Sequence, residues 1–373
     1  MDSDKKLTIS TVVSYSYPYI GSGIGNVAEK QAQLFAGEGH QVFLLSSNFP
    51  QSPSSFERHG VNVVKFPALF FLEKLHVPVP LTVLSLASYR SIAKSDIVHI
   101  HDGMYLSSFW AALAAKMLRK KLVVTVHINH IHYENPMVNL LERIAELVIA
   151  KPVFMMADKI VLINKNLEVE LKDYKTKMVV ISNGVDDSLF FPVTQQQRLS
   201  LRKKYDLDLK KKLVLFVGRL VPKKGFKLVM DANSNEYEIL FVGTGEVTES
   251  MRQTSGLRFL GPKSQEELAE FYQLSDVLVL PSHGEGYPLS IKEALASGLP
   301  VITTFEHSSL TNLIGKLVYL VDQSVPQIKT AIHKVLKNES SQKFDVERKR
   351  YLEKFSWNNN FSELNKVYQS LYK

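Results

Sequence analysis

Short, uninterrupted apolar runs alternate with longer stretches of helical periodicity along the whole chain. In the first half the runs are Leu7–Ser14, Gln41–Ser47, Val61–Phe66, Ile97–His101, Leu122–His127, Lys159–Ile163 and Met178–Ile181. They are mostly Val, Ile and Leu without polar alternation, the pattern of parallel strands covered on both faces. Helical spacing fills Gly25–Glu38, Tyr105–Arg119 and Asn139–Met156. A second series of runs comprises Leu213–Val217, Ile239–Val242, Leu257–Leu260, Val277–Leu280, Val301–Thr303 and Leu317–Val321, alternating with helical patterns at Gln265–Leu274, Leu289–Ala296 and Gln327–Leu336. The pattern predicts an α/β chain of two doubly wound, Rossmann-like domains facing a cleft. The first covers 1–190 and the second 212–355. A Gln-, Lys- and Asp-rich linker, 191–211, joins them, with a helical patch near Gln197–Tyr205. The tail, 356–373, reads as one more amphipathic helix. Ser356 is placed to cap it, and Phe361, Leu364, Val367, Tyr368 and Leu371 form a stripe that packs back on the first domain.

Composition narrows the chemistry. The 373 residues suit two domains. A mean hydropathy of -0.04 excludes a polytopic membrane protein, and 10% aromatic residues argue against disorder. With no cysteine, disulfides, thiolate metal sites and thiol catalysis are excluded. No apolar segment follows Lys5-Lys6 in the manner of a signal peptide, so the sequence predicts a cytoplasmic chain. The net charge of +8 is uneven, +2 over residues 1–188 and +6 over the remainder. A surplus this modest does not call for nucleic acid; it suits solubility, a phosphate-bearing ligand or an anionic surface.

In doubly wound folds ligands lie on the loops that follow the strands. Three such loops stand out. The first, Tyr19 to Gly25, carries Gly21 and Gly23 at the start of a helix, where backbone amides can approach a phosphate or a sugar. Its spacing is not that of a dinucleotide fingerprint. The second, Val217 to Gly225, places Gly218, Arg219 and Lys224 where a fork donor and a point charge can hold a diphosphate. The third, Pro281 to Ala294, carries Glu285 just past a strand. Pro288, Leu289 and Ser290 follow at a helix start with free amides, and Glu293 comes eight positions after Glu285, about two helical turns on. The two carboxylates suit sugar hydroxyls beside a phosphate.

Taken in order, these pieces resemble the retaining glycosyltransferases of the GT-B fold, the family with bacterial and archaeal mannosyl- and glucosyltransferases. Further matching pieces are Asp96-Ile97-Val98-His99-Ile100-His101, Thr125-Val126-His127, Ser182-Asn183-Gly184-Val185-Asp186 and Gly298-Leu299-Pro300. The resemblance covers nearly the whole chain. It implies that Arg219 and Lys224 neutralise a donor diphosphate, that Glu285 faces the donor sugar and Glu293 the ribose, and that His127 orients the transferred group. Gly21 and Gly23 close on donor or acceptor, while the amides around Pro288, Leu289 and Ser290 hold phosphate. The donor is a nucleotide-diphosphate sugar and the acceptor a glycan or a lipid-linked hydroxyl. No cofactor and no metal is expected. The chain departs from the family at Ser22 and at Phe305-Glu306-His307-Ser308-Ser309, where relatives carry glycines and a glutamate. Rival readings are a GT-B sugar-nucleotide epimerase, an inverting enzyme of the same fold and a non-catalytic sugar-nucleotide-binding subunit.

Other signals are discounted. Asp206-Leu207-Asp208 has a metal-binding spacing but lies in the Lys-rich connector, where it reads as a solvated turn. His99, His101, His127, His130 and His132 cluster without the carboxylate or cysteine spacing of a zinc site. The apolar stretch Pro67 to Val77, flanked by Lys65 and Lys74, is a candidate segment for peripheral contact with the inner face of a membrane, with Lys116, Arg119, Lys120 and Lys121 in the same domain.

Overall fold

Runs of β-branched and aliphatic residues need partners on both sides and cover on both faces, and the chain supplies these in two separate sheets. The computed structural model describes residues 5–17, 23–48, 53–69, 81–82, 84–127, 136–169, 171–283, 288–304, 310, 313–337 and 345–372. Two compact units result, one of Met1–Asn183 with Asn360–Lys373, the other of Gly184–Asn359.

In the first unit β1 (Thr8–Val12), α1 (Gly23–Gly37), β2 (Gln41–Ser47), β3 (Ser55–Arg58) and β4 (Val61–Phe66) are followed by a small ribbon of β5 (Ala68–Leu69) and β6 (Leu81–Thr82). Then come α2 (Leu86–Lys94), β7 (Ile97–His101), α3 (Leu106–Met117), β8 (Lys121–Val126) and α4 (Pro136–Ala145). A π-helical turn (Glu146–Ala150) leads to α5 (Lys151–Met156), β9 (Lys159–Leu162) and β10 (Met178–Val180). The main sheet runs β10-β9-β8-β7-β1-β2-β4-β3. Only β3 is antiparallel within it. The sequence reading missed this edge strand because its pattern is mixed and short. The helix expected over 139–156 runs unbroken from Pro136 to Met156, with the π turn inside it.

The second unit contains α6 (Gln195–Lys204), β11 (Lys212–Val217), α7 (Phe226–Asp231), β12 (Tyr237–Val242), α8 (Glu249–Gln253), β13 (Leu257–Gly261), α9 (Gln265–Leu274) and β14 (Val277–Leu280). These precede α10 (Leu289–Ala296), β15 (Val301–Thr303), β16 (Val318–Leu320), α11 (Val325–Lys337) and α12 (Asp345–Lys354). Its sheet, β13-β12-β11-β14-β15-β16, is parallel throughout. Phe216, Phe241, Leu278, Val279 and Ile302 are fully or almost fully buried in its core.

The expected linker at 191–211 is corrected by the packing. Thr194 closes a capping box on α6, and the helix docks on the α9–β14 corner. There Arg202 donates to the Leu274 carbonyl (3.0 Å) and pairs with Asp276 (2.7 Å). A charged helix thus belongs to the second unit because its arginines satisfy the carbonyls at the end of α9. Asp208 accepts from the Lys210 amide (2.8 Å), as a turn residue does. The tail helix α13 (Trp357–Tyr372) begins where Ser356 Oγ accepts from the Asn359 amide (3.1 Å). Its Leu364 and Tyr368 are buried in the first unit's core beside Phe35.

In each sheet the order of strands reverses once, between β1 and β7 in the first unit and between β11 and β14 in the second. Open α/β sheets place ligands at the carboxyl ends of the strands at such a reversal; Gly218 and Arg219 follow β11 there, and α10 follows β14.

Candidate functional site

In the second unit the loops leaving β11, β12 and β14 are knotted together by their backbones. The Gly218 amide donates to the Val242 carbonyl (3.0 Å) and the Leu220 amide to the Thr244 carbonyl (2.7 Å), which extends the β11–β12 pairing beyond the strands. Gly243 carries this close approach: its φ is 146°, and a Cβ there would overlap the Gly218 carbonyl oxygen. Gly225, at the end of the Pro222–Lys224 turn, lies so close to β14's loop that a Cβ would fall 2.5 Å from the Pro281 oxygen. The Lys223 carbonyl accepts from the His283 amide (3.1 Å). Gln323 donates to the Pro281 carbonyl (2.8 Å), and the Thr304 hydroxyl bonds the Ser282 carbonyl.

This knot presents two cations. Arg219 is exposed, and among the described residues its guanidinium has no partner. The aliphatic stem of Lys224 runs 3.7 to 3.8 Å from where a Cβ on Gly218 would lie, so Arg219 and Lys224 belong to one loop surface. Helix α10 starts after Pro288, and among the described residues no side chain caps its first amides, which leaves those of Leu289 and Ser290 for an anion. The buried Ser282 hydroxyl has no hydrogen-bond partner among the described residues.

Glu285 lies outside the described residues, as do Gly21 and the departures at 305–309. The expectation of two helical turns between Glu285 and Glu293 is corrected, since α10 begins only at Leu289. Glu293 is 8% exposed and accepts from the Tyr272 hydroxyl (2.8 Å). Burial pushes its carboxyl up to about 7, against the lowering effect of the tyrosine bond. The preceding Lys292 is fully buried with its ammonium 4.8 Å from the Phe355 ring centre, and burial pulls it down to about 7.

In the first unit a buried polar cluster caps β7 and β8. His99 and His101, two apart on a strand, share one side of the sheet. The His99 ring is bonded to Thr125 Oγ1 (2.7 Å) and to the Tyr368 hydroxyl (2.6 Å). His101 Nδ1 meets His127 Nε2 at 3.0 Å, and these two rings stack with centroids 5.2 Å apart. Asp102 turns the chain at φ 68°, unusual for a residue with a Cβ. Its amide donates to the Thr125 carbonyl (2.8 Å) and its Oδ1 accepts from the His127 amide (3.4 Å). Burial draws His99 and His127 down to about 3 and raises Asp102 to about 7. His127 is thus a neutral hydrogen-bonding group with a fixed ring. His130 and His132 lie outside the described residues. Among the described residues no three His, Cys, Asp or Glu side chains are arranged to hold a metal.

Gly23 opens α1. The chain leading toward it is anchored by a residue that sequence reasoning placed at a surface. Lys65 is 3% exposed, and its ammonium donates to Ser16 Oγ (2.9 Å), Ser46 Oγ (2.8 Å) and the Tyr17 carbonyl (2.6 Å). Lys65 therefore cannot meet a membrane. The apolar stretch it flanks lies outside the described residues from Phe70 to Val77. Asp102, Tyr272 and Tyr368 were also missed. A lone lysine inside the run Val-Val-Lys-Phe was the one available signal, because a charge in a covered strand requires partners.

The imidazole cluster fixes a pH dependence. Three buried histidines stay neutral in the folded unit, whereas the unfolded chain takes up their protons near pH 6.5. Their contribution is full above that value and is lost progressively as pH falls from it toward about 3. Asp102 works in the opposite direction between its ordinary value and about 7. The histidines outnumber it, so acidification from pH 7 to 5 is expected to destabilise the first unit by roughly 2 to 3 kcal/mol. Glu293 biases the second unit the other way. Thermal melts across this range check it; a first-unit transition that is flat or rises on acidification contradicts it.

Residues 21–189 match the family model described as Glycosyltransferase Family 4, and residues 197–353 match Glycosyl transferases group 1. The D-inositol 3-phosphate glycosyltransferase of Corynebacterium urealyticum is 28% identical over 222 residues. That match spans 53% of this chain and 52% of that protein, about half the length of each. The GDP-mannose-dependent alpha-mannosyltransferase of Corynebacterium glutamicum is 25% identical over 315 residues, 81% of this chain and 73% of that one. Among solved structures, Anabaena HepE in complex with UDP and glucose superposes with a TM-score of 0.76 at 15% identity, covering 97% of this chain and 99% of that one, a likeness of fold.

Proposed function

Because the chain belongs to the GT-B family of glycosyltransferases, we propose that it moves a hexosyl unit from a nucleoside-diphosphate sugar to a hydroxyl of a glycan or lipid-linked acceptor, with retention of anomeric configuration. The observation that carries this reading is the strand-end knot of the second unit, which offers Arg219, without a partner among the described residues, the neighbouring Lys224 and a start of α10 that no described side chain caps.

A diphosphate gains negative charge as the sugar leaves, and fixed donors stabilise that charge without reorganising. Arg219 and Lys224 meet the phosphates, and the Leu289 and Ser290 amides add the helix-terminus field. Glu293, held by Tyr272, receives the ribose hydroxyls. Glu285 receives the sugar hydroxyls. The bond from the anomeric carbon to phosphate oxygen breaks, the bond to the acceptor oxygen forms on the same face, and the acceptor proton passes to the departing phosphate oxygen. No side chain has to act as base. Neutral His127, fixed by His101 and the Asp102 turn, orients the transferred sugar, and Gly21 and Gly23 close on the bound substrate. No cofactor or metal takes part.

Two measurements test this. UDP-, GDP- and ADP-sugars are compared by thermal shift; one of them is expected to raise the melting temperature, and none doing so overturns the donor assignment. Glu293→Gln is expected to weaken binding of the free nucleoside diphosphate by about tenfold, roughly the value of one charged hydrogen bond. Glu285→Gln is expected to lower transfer more than binding. Equal affinity losses in calorimetry contradict these roles.

A further inference from the structure

Helix α4 and the π turn after it carry an apolar stripe that faces away from the protein. Leu140, Leu141, Ile144, Leu147 and Val148 recur at helical spacing and are between 48% and 61% exposed. The same segment turns Ala150, Val153 and Phe154 into the first unit's core. The stripe is therefore additional to the face that holds the helix on the sheet. Helix α3 packs against α5 and the π turn, and it has the same double character. Its alanines, Ala111, Ala112, Ala114 and Ala115, are buried, while Trp110, Leu113 and Met117 are exposed at i, i+3 and i+7. Contiguous exposed apolar surface of this kind marks a contact face.

We propose that this outer α3–α4–α5 face docks on an anionic lipid bilayer. Cations border the stripes and outnumber the acids there, Glu142, Glu146, Asp158 and Asp173. Lys151 is exposed on the continuation of the α4 stripe, between Val148 and the exposed Met155. A short basic turn, Lys172 to Lys177, stands beside α5. There the Tyr174 ring lies 5.9 Å from that of Phe154, and Lys177 donates to the Met155 carbonyl (2.9 Å). Lys172 and Lys175 of that turn are exposed. At the end of α3, Arg119 is exposed and Lys116 pairs with Asp158 (3.3 Å). An apolar stripe with tryptophan, rimmed by Lys and Arg, is the composition of a helix face lying in a bilayer interface. A two-fold contact between copies would set this basic rim against itself, whereas anionic headgroups complement it. Among the described residues no helix is long and apolar enough to cross a membrane, so the face lies on the bilayer.

The test uses the full chain with vesicles of phosphatidylcholine alone or mixed equally with phosphatidylglycerol. Sedimentation with the anionic vesicles at low salt is expected, with a blue shift of tryptophan emission that Trp110→Phe abolishes. Ile144→Asp with Leu147→Asp, both at exposed positions, is expected to weaken vesicle binding by about tenfold or more. Lys172→Glu with Lys175→Glu provides a second variant that leaves the apolar stripe untouched and is expected to weaken binding to the anionic vesicles alone. Absent sedimentation, unchanged binding by both variants, or a concentration-dependent dimer that the Asp variant dissolves without any vesicle binding overturns the proposal. None of these readouts depends on the transfer reaction.

Discussion

Replacing Arg219 by alanine is expected to lower kcat by about a hundredfold or more, the usual cost of losing one donor aimed at charge that develops in the transition state. The structure isolates this effect. Arg219 is exposed and has no partner among the described residues, so its removal leaves the strand-end knot unchanged. The melting temperature without ligand should therefore remain that of the wild type. Lysine at this position should restore only part of the rate, because an ammonium cannot span two phosphate oxygens as a guanidinium fork does. Steady-state kinetics of the folded variant check this. A kcat within about threefold of the wild type removes Arg219 from the mechanism.

Gly243→Ala is expected to be the most damaging single substitution in the second unit, by about 3 kcal/mol or more, from a strained φ together with a backbone clash. A Cβ at this position overlaps the Gly218 carbonyl, so either β11 and β12 separate at their ends or the Arg219 loop moves. Gly261 provides the control. It also has a left-handed φ, 70°, but nothing lies within 4 Å of an added Cβ. Gly261→Ala should cost only the strain, about 1 kcal/mol. Denaturant unfolding of both variants decides between the two effects. Equal costs indicate that the close approach of the β11 and β12 loops contributes nothing to the site.

The fold was legible where each element had its own local pattern. Strands β11 and β14 are near-pure apolar runs, and α9 and α10 have clear helical spacing, so their bounds follow from the sequence to within a residue. Helix α12 was illegible because Asp345–Lys354 is almost all charged. Its place is fixed by Arg348 reaching the Ala296 carbonyl (3.0 Å) and by the buried Tyr351, neither of which gives a periodic signal. The π turn was hidden for the opposite reason, since its residues continue the helical stripe of α4. The site divides in the same way. Gly218, Arg219 and Lys224 announce themselves as glycine and cations directly after an apolar strand. The pairs Tyr368 with His99 and Tyr272 with Glu293 join residues 269 and 21 positions apart, a distance that no local spacing reports. A cation beside an apolar stretch reads locally as a flank, whereas three oxygens inside the unit hold Lys65.

The proposed cleavage of the glycosyl–phosphate bond of a nucleoside-diphosphate sugar, with retention, is exposed directly by slow hydrolysis of the donor in the absence of acceptor. Proton NMR of the first sugar released from an α-linked donor, recorded before mutarotation, should show the α anomer, with Arg219→Ala releasing it about a hundredfold more slowly. Initial release of the β anomer contradicts retention, and no release from any of the UDP-, GDP- and ADP-sugars contradicts the donor class.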